Sequence, residues 1–503
     1  MRAIVAYLGS TLEPTIWHEF RRHAIHREVA YMKTVAKHYI NGQFVESHGR
    51  ESLDLISPTT ERIIGRVILG DEHDARNAIH AAKEAFKTFS KTNVDMRARY
   101  LQALHDAVIA RADEHIAVMV EEYGGVYQFS NASARRAARS FLEARRALEE
   151  ISFTKNVGKS LVSLEPLGVA GLITPWNAST SFICGKLAAA IAAGCTVVVK
   201  PSELSALQTQ LLMECFDAAG LPPGVINIVI GRGDVVGAEI TRNPDIAKIS
   251  FTGSTVVGKT IARDAVATMK RVTLELGGKS PNVLLDDADL DKAVPFAVAA
   301  AFMNNGQACI NGTRLLVPES RLADVKVAIR QAVEGLKVGD PAASDTAIGP
   351  LVTSKQYDRV QAYIKRGIEE GAEVIIGGQG RPSGLESGYF VKPTVFVNVT
   401  NDMTIAREEI FGPVLCVITY KTEEQAIDIA NDTAYGLHAY VATSDPARGR
   451  KVANQIVAGR VMINAFYDEP RAPFGGFKQS GIGREFGVYG IEAFLEPKAV
   501  FTT

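Results

Sequence analysis

The sequence predicts an α/β protein in which parallel β-sheets are covered by helices on both faces. Between residues 169 and 276, five short apolar runs alternate with four segments of helical length. Short β-branched runs separated by helices are typical of a parallel sheet with two covered faces. A second alternation of this kind occupies about residues 287–469. Because 503 residues exceed what one ordinary core holds, we expect two or three domains.

The composition indicates a globular protein and argues against several functional classes. A hydrophobic fraction of 47% fits a protein with buried cores, and a net charge of -1 gives no basis for binding nucleic acid or an anionic membrane surface. Five cysteines, an odd number without C-x-x-C spacing, argue against a disulfide framework and a zinc site. We therefore expect a reducing, cytoplasmic compartment, with no metal, nucleic-acid partner or membrane partner.

The first 36 residues differ from the rest of the chain. The apolar run from Ile4 to Leu8 is too short for a signal peptide or a transmembrane helix, and residues 13–37 have no clean apolar face. We interpret residues 1–36 as an amino-terminal arm that is either disordered or the product of an upstream start, since Met32 precedes the first fold-like segment.

Local patterns predict the individual elements. Turn signals at Asn41-Gly42 and Ser57-Pro58 indicate paired strands near the amino terminus, and Asp71 and Asp74 open a helix. Apolar periodicity predicts further helices over about 94–121, 132–150, 180–193, 205–219, 234–242, 255–268, 291–304, 321–335, 355–370 and 423–431. Strands are predicted over 169–173, 196–199, 225–230, 246–251, 272–276, 314–317, 374–377, 414–418, 460–463 and 496–503.

The residues that follow the apolar runs are the first candidate site, because ligands of parallel sheets bind beyond the carboxyl ends of the strands. In chain order they are Thr174-Pro175-Trp176-Asn177, Lys200-Pro201-Ser202-Glu203, Gly231-Arg232-Gly233, Thr252-Gly253-Ser254 and Gly277-Gly278. Lys200 can meet a ribose or phosphate, and Glu203 can accept hydrogen bonds from ribose hydroxyls. Glycines beside a helix N-terminus let the backbone approach a pyrophosphate. As a set they indicate a dinucleotide site.

Cys309 is the candidate nucleophile. It ends the stretch Asn304-Asn305-Gly306-Gln307-Ala308-Cys309, in which small and amide-bearing residues can supply close backbone N–H groups. A thiolate reacts covalently without a second residue once its surroundings stabilise it, although a lone cysteine is often only a packing residue. Glu275 favours the chemical interpretation. A carboxylate at an apolar strand end, followed by two glycines, suits a base in a cleft, and its pKa should rise.

A nucleotide-hydrolase interpretation also has a motif in its favour. The stretch from Gly253 to Thr260 matches G-x-x-x-x-G-K-[ST] and precedes a predicted helix. Against it stand Val256 and Val257, because β-branched residues resist the backbone conformations of a phosphate-wrapping loop. The same residues fit a helix that begins at once and is capped by Ser254.

A cysteine–histidine hydrolase is a further alternative for Cys309. Nine of the ten histidines lie at or before His115, so only His438 belongs to the second α/β region. No motif or turn marks His438, and we interpret it as an ordinary surface or packing residue.

Seven motifs together resemble the NAD(P)-dependent aldehyde dehydrogenase superfamily. They are Pro175-Trp176-Asn177, Lys200-Pro201-Ser202-Glu203, Phe251-Thr252-Gly253-Ser254, Glu275-Leu276-Gly277-Gly278-Lys279, Gly306-Gln307-Ala308-Cys309, Glu409-Ile410-Phe411-Gly412-Pro413 and Pro473-Phe474-Gly475-Gly476-Phe477-Lys478. One tetrapeptide would mean little, whereas seven in order and at the family's rough spacing are specific. The resemblance covers about residue 37 to the carboxyl terminus. It implies an aldehyde dehydrogenase-like fold and oxidation of a small-molecule aldehyde to a carboxylic acid.

The resemblance implies a covalent mechanism. Cys309 resembles the nucleophile, which forms a thiohemiacetal and, after hydride transfer, a thioester. The Asn177 amide and the Cys309 backbone N–H resemble an oxyanion hole. Glu275 is similar to the base that activates water for hydrolysis of the thioester, and Lys186 and Glu485 match positions that assist proton relay.

The resemblance also implies NAD as cofactor, with NADP as the alternative. Lys200 and Glu203 resemble the ribose contacts, and a glutamate at position 203 would repel a 2′-phosphate. The full set of expected cofactor-binding residues is Thr174, Pro175, Trp176, Lys200, Ser202, Glu203, Gly233, Gly237, Phe251, Gly253, Ser254, Val257, Leu276, Gly277, Glu409 and Phe411.

Two stretches depart from the family pattern. Ala178-Ser179-Thr180-Ser181 follows Asn177 where a bulky Phe is common, which suggests altered or wider substrate access. The stretch Glu121-Glu122-Tyr123-Gly124-Gly125 replaces a more usual Thr-Gly-containing one. We expect neither to touch the chemistry, but both leave the identity of the aldehyde open.

Two other outcomes are consistent with parts of the pattern. A coenzyme A-acylating relative would release the thioester to a thiol, although such enzymes tend to lack the equivalent of Glu275. A non-catalytic homologue would have lost Cys309, Asn177 or Glu275, and all three are present.

The resemblance implies a three-part chain. We expect a dinucleotide-binding domain from residues 37–142 and 164–276 and a catalytic domain from residues 277–476. Residues 143–163 and 477–503 would form a small β oligomerisation element, in a homodimer or homotetramer.

Overall fold

The computed structural model describes residues 33–467 and 469–501. Most of the expected amino-terminal arm, residues 1–32, lies outside this range. For residues 33–36 the expectation of an arm is wrong, because Lys33–Val35 form a strand that pairs in parallel with the strand at Ile63–Ile68.

The amino-terminal part forms five strands and four helices. The strands are β1 (Lys33–Val35), β2 (Lys37–Ile40), β3 (Gln43–Glu46), β4 (Ser52–Ile56) and β5 (Ile63–Ile68). The helices are α1 (Glu72–Phe89), α2 (Val94–Ala110), α3 (Ala112–Tyr123) and α4 (Tyr127–Glu150). Asp71 and Asp74 begin α1 as a capping box, each side chain accepting from the other's backbone N–H. The single helix predicted over 94–121 is wrong, because Arg111 leaves the helical conformation at φ -112° and ψ 22°.

The middle part contains the five predicted apolar strands. Its strands are β6 (Thr154–Val157), β7 (Ser160–Pro166), β8 (Val169–Ile173), β9 (Thr196–Lys200), β10 (Ile226–Ile228), β11 (Ile246–Thr252) and β12 (Arg271–Glu275). Its helices are α5 (Ser179–Ala193), α6 (Ala206–Ala218), α7 (Ala238–Arg242) and α8 (Thr255–Val266). A π-helical turn at Gly233–Gly237 precedes α7, where the sequence predicted continuous helix.

The carboxyl-terminal part repeats the alternation. Its strands are β13 (Pro281–Leu284), β14 (Arg314–Pro318), β15 (Glu373–Ile376), β16 (Thr394–Val397), β17 (Val414–Tyr420), β18 (His438–Ala442), β19 (Arg460–Ile463), β20 (Gly481–Ile482) and β21 (Leu495–Phe501). Its helices are α9 (Leu290–Phe302), α10 (Leu322–Glu334), α11 (Ser354–Glu369), α12 (Thr404–Arg407), α13 (Glu423–Asn431), α14 (Pro446–Ala453) and α15 (Gly487–Glu492). Strands β13, β16 and β18 are additional to the predicted ones, because periodicity alone does not identify apolar runs of four or five residues.

The first large sheet has the strand order β20-β12-β11-β8-β9-β10-β2-β3. Its five central strands are parallel, and antiparallel strands close both edges. Successive side chains face opposite apolar cores: Val197 and Val199 pack in one, and Val198 packs in the other. The carboxyl ends of the parallel strands therefore meet at one edge of a sheet that is buried on both faces.

The second large sheet has the order β15-β16-β17-β14-β13-β18-β19 and is parallel except at β15. Leu316 faces one apolar core, whereas Leu315 and Val317 face another. Residues 276–280 connect β12 of the first sheet to β13 of the second. The chain thus crosses between the sheets directly after Glu275, the residue that the sequence predicts to be a base.

The terminal strand β21 pairs with β7 of the same chain, from Leu495 opposite Pro166 to Phe501 opposite Ser160, and β6 completes a small antiparallel sheet. The division into domains stays a prediction. Within the described part of the chain, no helix combines the length and apolar character needed to cross a membrane.

Arg314 on β14 should be a strong determinant of stability. Its fully buried guanidinium donates to the carbonyl oxygens of Lys279, Ile429 and Ala430. Arg314→Met would leave these acceptors unsatisfied, at a cost of about 2–4 kcal/mol. Thermal unfolding should show a lower Tm than in wild type, while Arg330→Met at an exposed position should leave Tm unchanged. An unaltered Tm in Arg314→Met would contradict this account.

Candidate active site

Cys309 follows a backbone turn of unusual conformation at the end of α9. Asn304, Asn305 and Gly306 have φ angles of 54°, 59° and 75°, so three consecutive residues lie in the left-handed region. Glycine adopts this region freely, and asparagine tolerates it better than most residues, but the two asparagines still cost free energy and persist only when the surroundings impose the conformation. The turn must therefore be held from outside.

Three segments from other parts of the chain hold this turn. The Asn305 side chain donates to the carbonyl oxygens of Gly124 and Pro350, both at 3.0 Å, and accepts from the Gly349 N–H at 2.7 Å. Gly306 lies so close to Gly412 that a Cβ at position 306 would come within 2.1 Å of its carbonyl carbon. These contacts fix the backbone three residues before the thiol.

Asn177 lies beside the same loop. Its Nδ2 donates to the Gln307 carbonyl oxygen at 2.9 Å, and the Asn304 side chain donates to the Asn177 carbonyl oxygen at 3.0 Å. An amide carries two N–H donors, and the bond to Gln307 uses one of them. The Asn177 side chain is therefore oriented by the cysteine loop and retains a donor for a ligand.

The Cys309 thiol is free and partly exposed, whereas the other four cysteines are buried. Burial of the sulfur, together with the nearby carboxylates of Glu409 and Glu275, raises the pKa of the thiol. The backbone N–H groups of Cys309 and Ile310 act in the opposite direction. The thiol is thus protonated at neutral pH, so it has to lose its proton to a neighbouring group when it reacts.

Glu275 ends β12 and is 3% exposed. Within the described residues neither carboxyl oxygen has a hydrogen-bond partner. Burial raises the pKa of this carboxyl well above its ordinary value, and Glu485 adds to the effect, while Lys186 opposes it. A Cβ at Gly475 would come within 2.8 Å of Glu275 Oε1, so glycine leaves room for the carboxyl. A carboxyl with a raised pKa and free oxygens suits a general base.

Lys186, which is buried, and Glu485, which is partly buried, form an ion pair. Lys186 Nζ also donates to Ser250 Oγ at 3.0 Å, and the Ser250 hydroxyl donates to Glu485 at 3.2 Å. Both charged groups influence the pKa of Glu275: Glu485 raises it and Lys186 lowers it.

Glu409 and Phe411 contact residues that follow two strands of the first sheet, β12 and β8. The Gly278 N–H donates to Glu409 Oε1 at 2.9 Å, and a Cβ at Gly277 would meet Glu409 Oε2 at 2.6 Å. Burial raises the pKa of Glu409 to about 7, although the Gly278 N–H opposes the shift. Phe411, with φ 64°, meets the Trp176 ring edge-on at 5.5 Å.

The expected ribose contacts lie at the ends of β8 and β9. Lys200 Nζ donates to Glu203 Oε2 at 3.0 Å, and Ser202 caps the short helical turn that contains Glu203. Thr174 is buried, and its hydroxyl has no hydrogen-bond partner among the described residues. Pro175 follows it and is partly exposed.

The expected diphosphate contacts lie on two helical N-termini. A Cβ at Gly233 or Gly237 would meet no atom within 4 Å, so both glycines border open space. Ser254 caps α8 by accepting from the Val257 N–H, and a Cβ at Gly253 would strike the ring of Phe251 at 2.4 Å.

This geometry argues against the nucleotide-hydrolase interpretation. The helix α8 begins at Thr255, so Lys259 and Thr260 lie within it rather than in a loop around a phosphate. Val256 and Val257 form its exposed first turn. Lys259 Nζ donates to Gln479 Oε1 at 2.8 Å.

Four of the residues expected to border the cofactor or the substrate are buried. Phe251 and Leu276 are buried in an apolar core, so their contribution to cofactor binding stays a prediction. In the stretch after Asn177, Ser179 and Thr180 are buried, and only Ala178 and Ser181 are partly exposed. Of the three hydroxyl-bearing residues in this stretch, only Ser181 is therefore partly exposed and able to border an access route for the substrate.

Residues 121–125, which we expected not to touch the chemistry, contact the loop that carries Cys309. The Tyr123 hydroxyl donates to Asn304 Oδ1 at 2.8 Å and accepts from Gln307 Nε2 at 3.2 Å, both in the cysteine loop. Glu122 accepts from the backbone N–H groups of Leu207 and Gln208 at the start of α6. The one feature of the sequence that pointed to residues 121–125 was their departure from the family pattern.

Comparison with known proteins identifies the family of the chain. The sequence profile of the aldehyde dehydrogenase family matches residues 44–500. A 3-succinoylsemialdehyde-pyridine dehydrogenase of a Pseudomonas species is 46% identical over 471 residues, which cover 93% of this chain and 99% of that protein.

Solved structures of relatives have the same fold. A mutant of aldehyde dehydrogenase C from Pseudomonas syringae, in complex with NAD+ and octanal, is 45% identical with a TM-score of 0.91, covering 93% of this chain and 96% of that one. A Mycobacterium tuberculosis aldehyde dehydrogenase complexed with NAD+ is 39% identical, also with a TM-score of 0.91, covering 94% and 99% of the two chains. The profile match and the extent of these identities show that the chain belongs to the aldehyde dehydrogenase family.

Proposed function

We propose that the protein oxidises an aldehyde to a carboxylic acid with NAD as hydride acceptor, through a thioester on Cys309 that is hydrolysed with the help of Glu275. The observation that carries this proposal is the grouping of three features at the crossing between the two sheets. These are the rigid Cys309 loop, an Asn177 amide oriented by that loop, and a buried Glu275 carboxyl without a hydrogen-bond partner.

The residues at the edge of the first sheet fit a nicotinamide dinucleotide. Gly233 and the Ser254-capped start of α8 present backbone next to open space, which suits a diphosphate. Glu203 would accept from ribose hydroxyls, and Glu409 and Phe411 would lie at the nicotinamide end. When bound, NAD supplies the acceptor for the hydride that the substrate carbon loses.

In the first step the Cys309 sulfur bonds to the aldehyde carbon, and its proton leaves. Glu275 is a suitable acceptor for this proton, because its pKa is raised and its charge influences the thiol. The carbonyl oxygen becomes an oxyanion, which the remaining Asn177 N–H and the Cys309 backbone N–H would stabilise. Preorganised donors of this kind typically contribute the largest stabilising effect.

Loss of a hydride from the substrate carbon, for which bound NAD would be the acceptor, converts the thiohemiacetal into a thioester, and in the second step water attacks this thioester. Glu275 removes a proton from the water, the water oxygen bonds to the acyl carbon, and the carbon–sulfur bond breaks to regenerate Cys309 and release the acid. Before water attacks, the Lys186–Glu485 pair would pass onward the proton that Glu275 took from the thiol, so that Glu275 is again able to act as a base. A coenzyme A-acylating reaction is the alternative, and the presence of Glu275 favours water as the acceptor.

The substrate class of this chain is a small-molecule aldehyde. One relative is a semialdehyde dehydrogenase by name, and another was solved with octanal. The five free thiols support a reducing, cytoplasmic compartment.

We also propose a homodimer or homotetramer that assembles through the small terminal sheet. Strand β6 has four exposed residues, and within the part of the chain that the structure describes no strand pairs with its outer edge. Apolar side chains are exposed nearby at Val157, Leu161, Val500 and Phe501. An exposed strand edge with apolar side chains is typical of a surface that pairs with another chain.

Glu275→Gln should separate the two chemical steps. A first turnover of NADH should still form, although more slowly than in wild type because glutamine cannot accept the thiol proton, whereas steady-state kcat should fall by about 10²- to 10⁴-fold because the water loses its base. Rapid-mixing absorbance of NADH measures both quantities, with the exposed Glu424→Gln as the control. A steady-state rate equal to wild type would show that another group activates the water, and stimulation by added coenzyme A would support the acylating alternative.

The pH dependence of kcat should report the raised pKa of Glu275. The base must be ionised to accept a proton, so kcat should rise with pH through a value well above that of an ordinary glutamate. Steady-state rates across a pH series in wild type and Glu275→Gln test this. An acid limb that persists unchanged in the variant would refute the assignment.

Glu203→Ser should weaken the preference for NAD over NADP. Removal of the carboxylate relieves repulsion of a 2′-phosphate and frees Lys200 to pair with it, so the ratio of kcat/KM for NADP to that for NAD should rise about tenfold. The exposed Glu334→Ser serves as the control. An unchanged ratio would mean that Glu203 does not face the ribose.

Leu161→Lys should shift the assembly toward the monomer, because the charge would be placed in the proposed apolar interface. Light scattering coupled to size-exclusion chromatography gives the mass, and Val266→Lys on the exposed side of α8 is the control. A mass equal to that of wild type would place the interface elsewhere.

A further inference from the structure

Tyr123 lies at the centre of a chain of buried hydrogen bonds that runs in one direction. The Val352 N–H donates to Gln307 Oε1 at 3.0 Å, and Gln307 Nε2 donates to the Tyr123 hydroxyl at 3.2 Å. The hydroxyl in turn donates to Asn304 Oδ1 at 2.8 Å. The backbone N–H can only donate, which fixes the orientation of the Gln307 amide, and because Gln307 Nε2 then donates to Tyr123, the hydroxyl proton is free to be donated to Asn304.

This chain ends at the donor of the proposed oxyanion hole. With its oxygen held by Tyr123, Asn304 directs Nδ2 to the carbonyl oxygens of Asn177 and Gln307, at 3.0 and 3.2 Å. The Asn177 side chain donates to the same Gln307 carbonyl. Tyr123 thereby determines which end of the Asn304 amide faces the two peptides that support Asn177.

Without the hydroxyl the Asn304 amide would lose this constraint. A rotated amide would place Oδ1 against the two carbonyl oxygens, where electrostatic repulsion would displace Asn177. The Tyr123 ring is 1% exposed and tilts against Trp176 at 5.8 Å, so Tyr123→Phe keeps the packing and removes only the hydroxyl.

We propose that Tyr123 is a positioning residue for the oxyanion hole: it fixes the orientation of the Asn304 amide and so holds the Asn177 N–H at the carbonyl oxygen of the substrate. This inference rests on the proposed function. Neither Tyr123 nor Asn304 contacts the reacting atoms, so their effect on catalysis is exerted through Asn177.

The test compares Tyr123→Phe with Tyr420→Phe. The Tyr420 hydroxyl donates to the Leu284 carbonyl oxygen at 2.7 Å in another buried region, so the control also loses one buried hydrogen bond. With octanal and NAD, kcat of Tyr123→Phe should fall about tenfold with KM for octanal nearly unchanged, since misplaced catalytic groups reduce turnover without loss of binding. Tyr420→Phe should retain the wild-type kcat.

Alkylation of Cys309 by iodoacetamide separates positioning from general loosening of the loop. This reaction forms no oxyanion, so its rate in Tyr123→Phe should stay within about threefold of wild type, a difference of less than 1 kcal/mol in activation free energy. An equal loss of kcat in both tyrosine variants, or a parallel fall of alkylation and kcat, would overturn the proposal.

Asn304→Asp provides a second variant, because aspartate also tolerates a positive φ and keeps Oδ1 but lacks the Nδ2 donor. Its loss of kcat should be at least that of Tyr123→Phe, and the double variant should lose no more than Asn304→Asp alone, since both changes interrupt one chain of bonds. Additive losses would contradict the shared route. A wild-type protein that oxidises no aldehyde would overturn the proposed function together with this inference.

Discussion

The left-handed backbone at residues 304–306 is the constraint on which the candidate site depends. The two asparagines are costly in this region, and the turn persists because Asn305 is bonded to three backbone groups and Gly306 packs directly on Gly412. The groups that hold it come from the end of α3, the segment before α11 and the segment before β17. The position of the thiol is therefore set by contacts from three distant parts of the chain rather than by local sequence.

Burial of several carboxyl groups is the second determinant of the site. Glu275, Glu409 and Glu485 lie close enough to influence the thiol or one another, and burial raises the pKa of Glu275 and Glu409. Such an arrangement costs folding free energy, and Lys186 offsets only part of it. The same burial makes Glu275 a stronger base than an ordinary glutamate. Burial of Glu275 therefore lowers the stability of the fold while it favours catalysis.

Local sequence predicted the features that local interactions determine. The capping box of Asp71 and Asp74, the alternation of apolar strands and helices, and the Ser254 cap all follow from neighbouring residues. The role of Tyr123 could not be predicted in this way, because its hydroxyl meets Asn304 across a separation of 181 residues. The roles of Cys309 and the other candidate residues rested on family resemblance and remain proposals, although the structure brings them into one region.

Mass spectrometry of the protein quenched in acid during turnover with octanal and NAD tests the central claim most directly. The account predicts an octanoyl group on the peptide that contains Cys309, with accumulation of this species in Glu275→Gln because hydrolysis is slowed. NADH formation without any acylated peptide, or an acyl group on another residue, would contradict the assignment of Cys309 as the nucleophile.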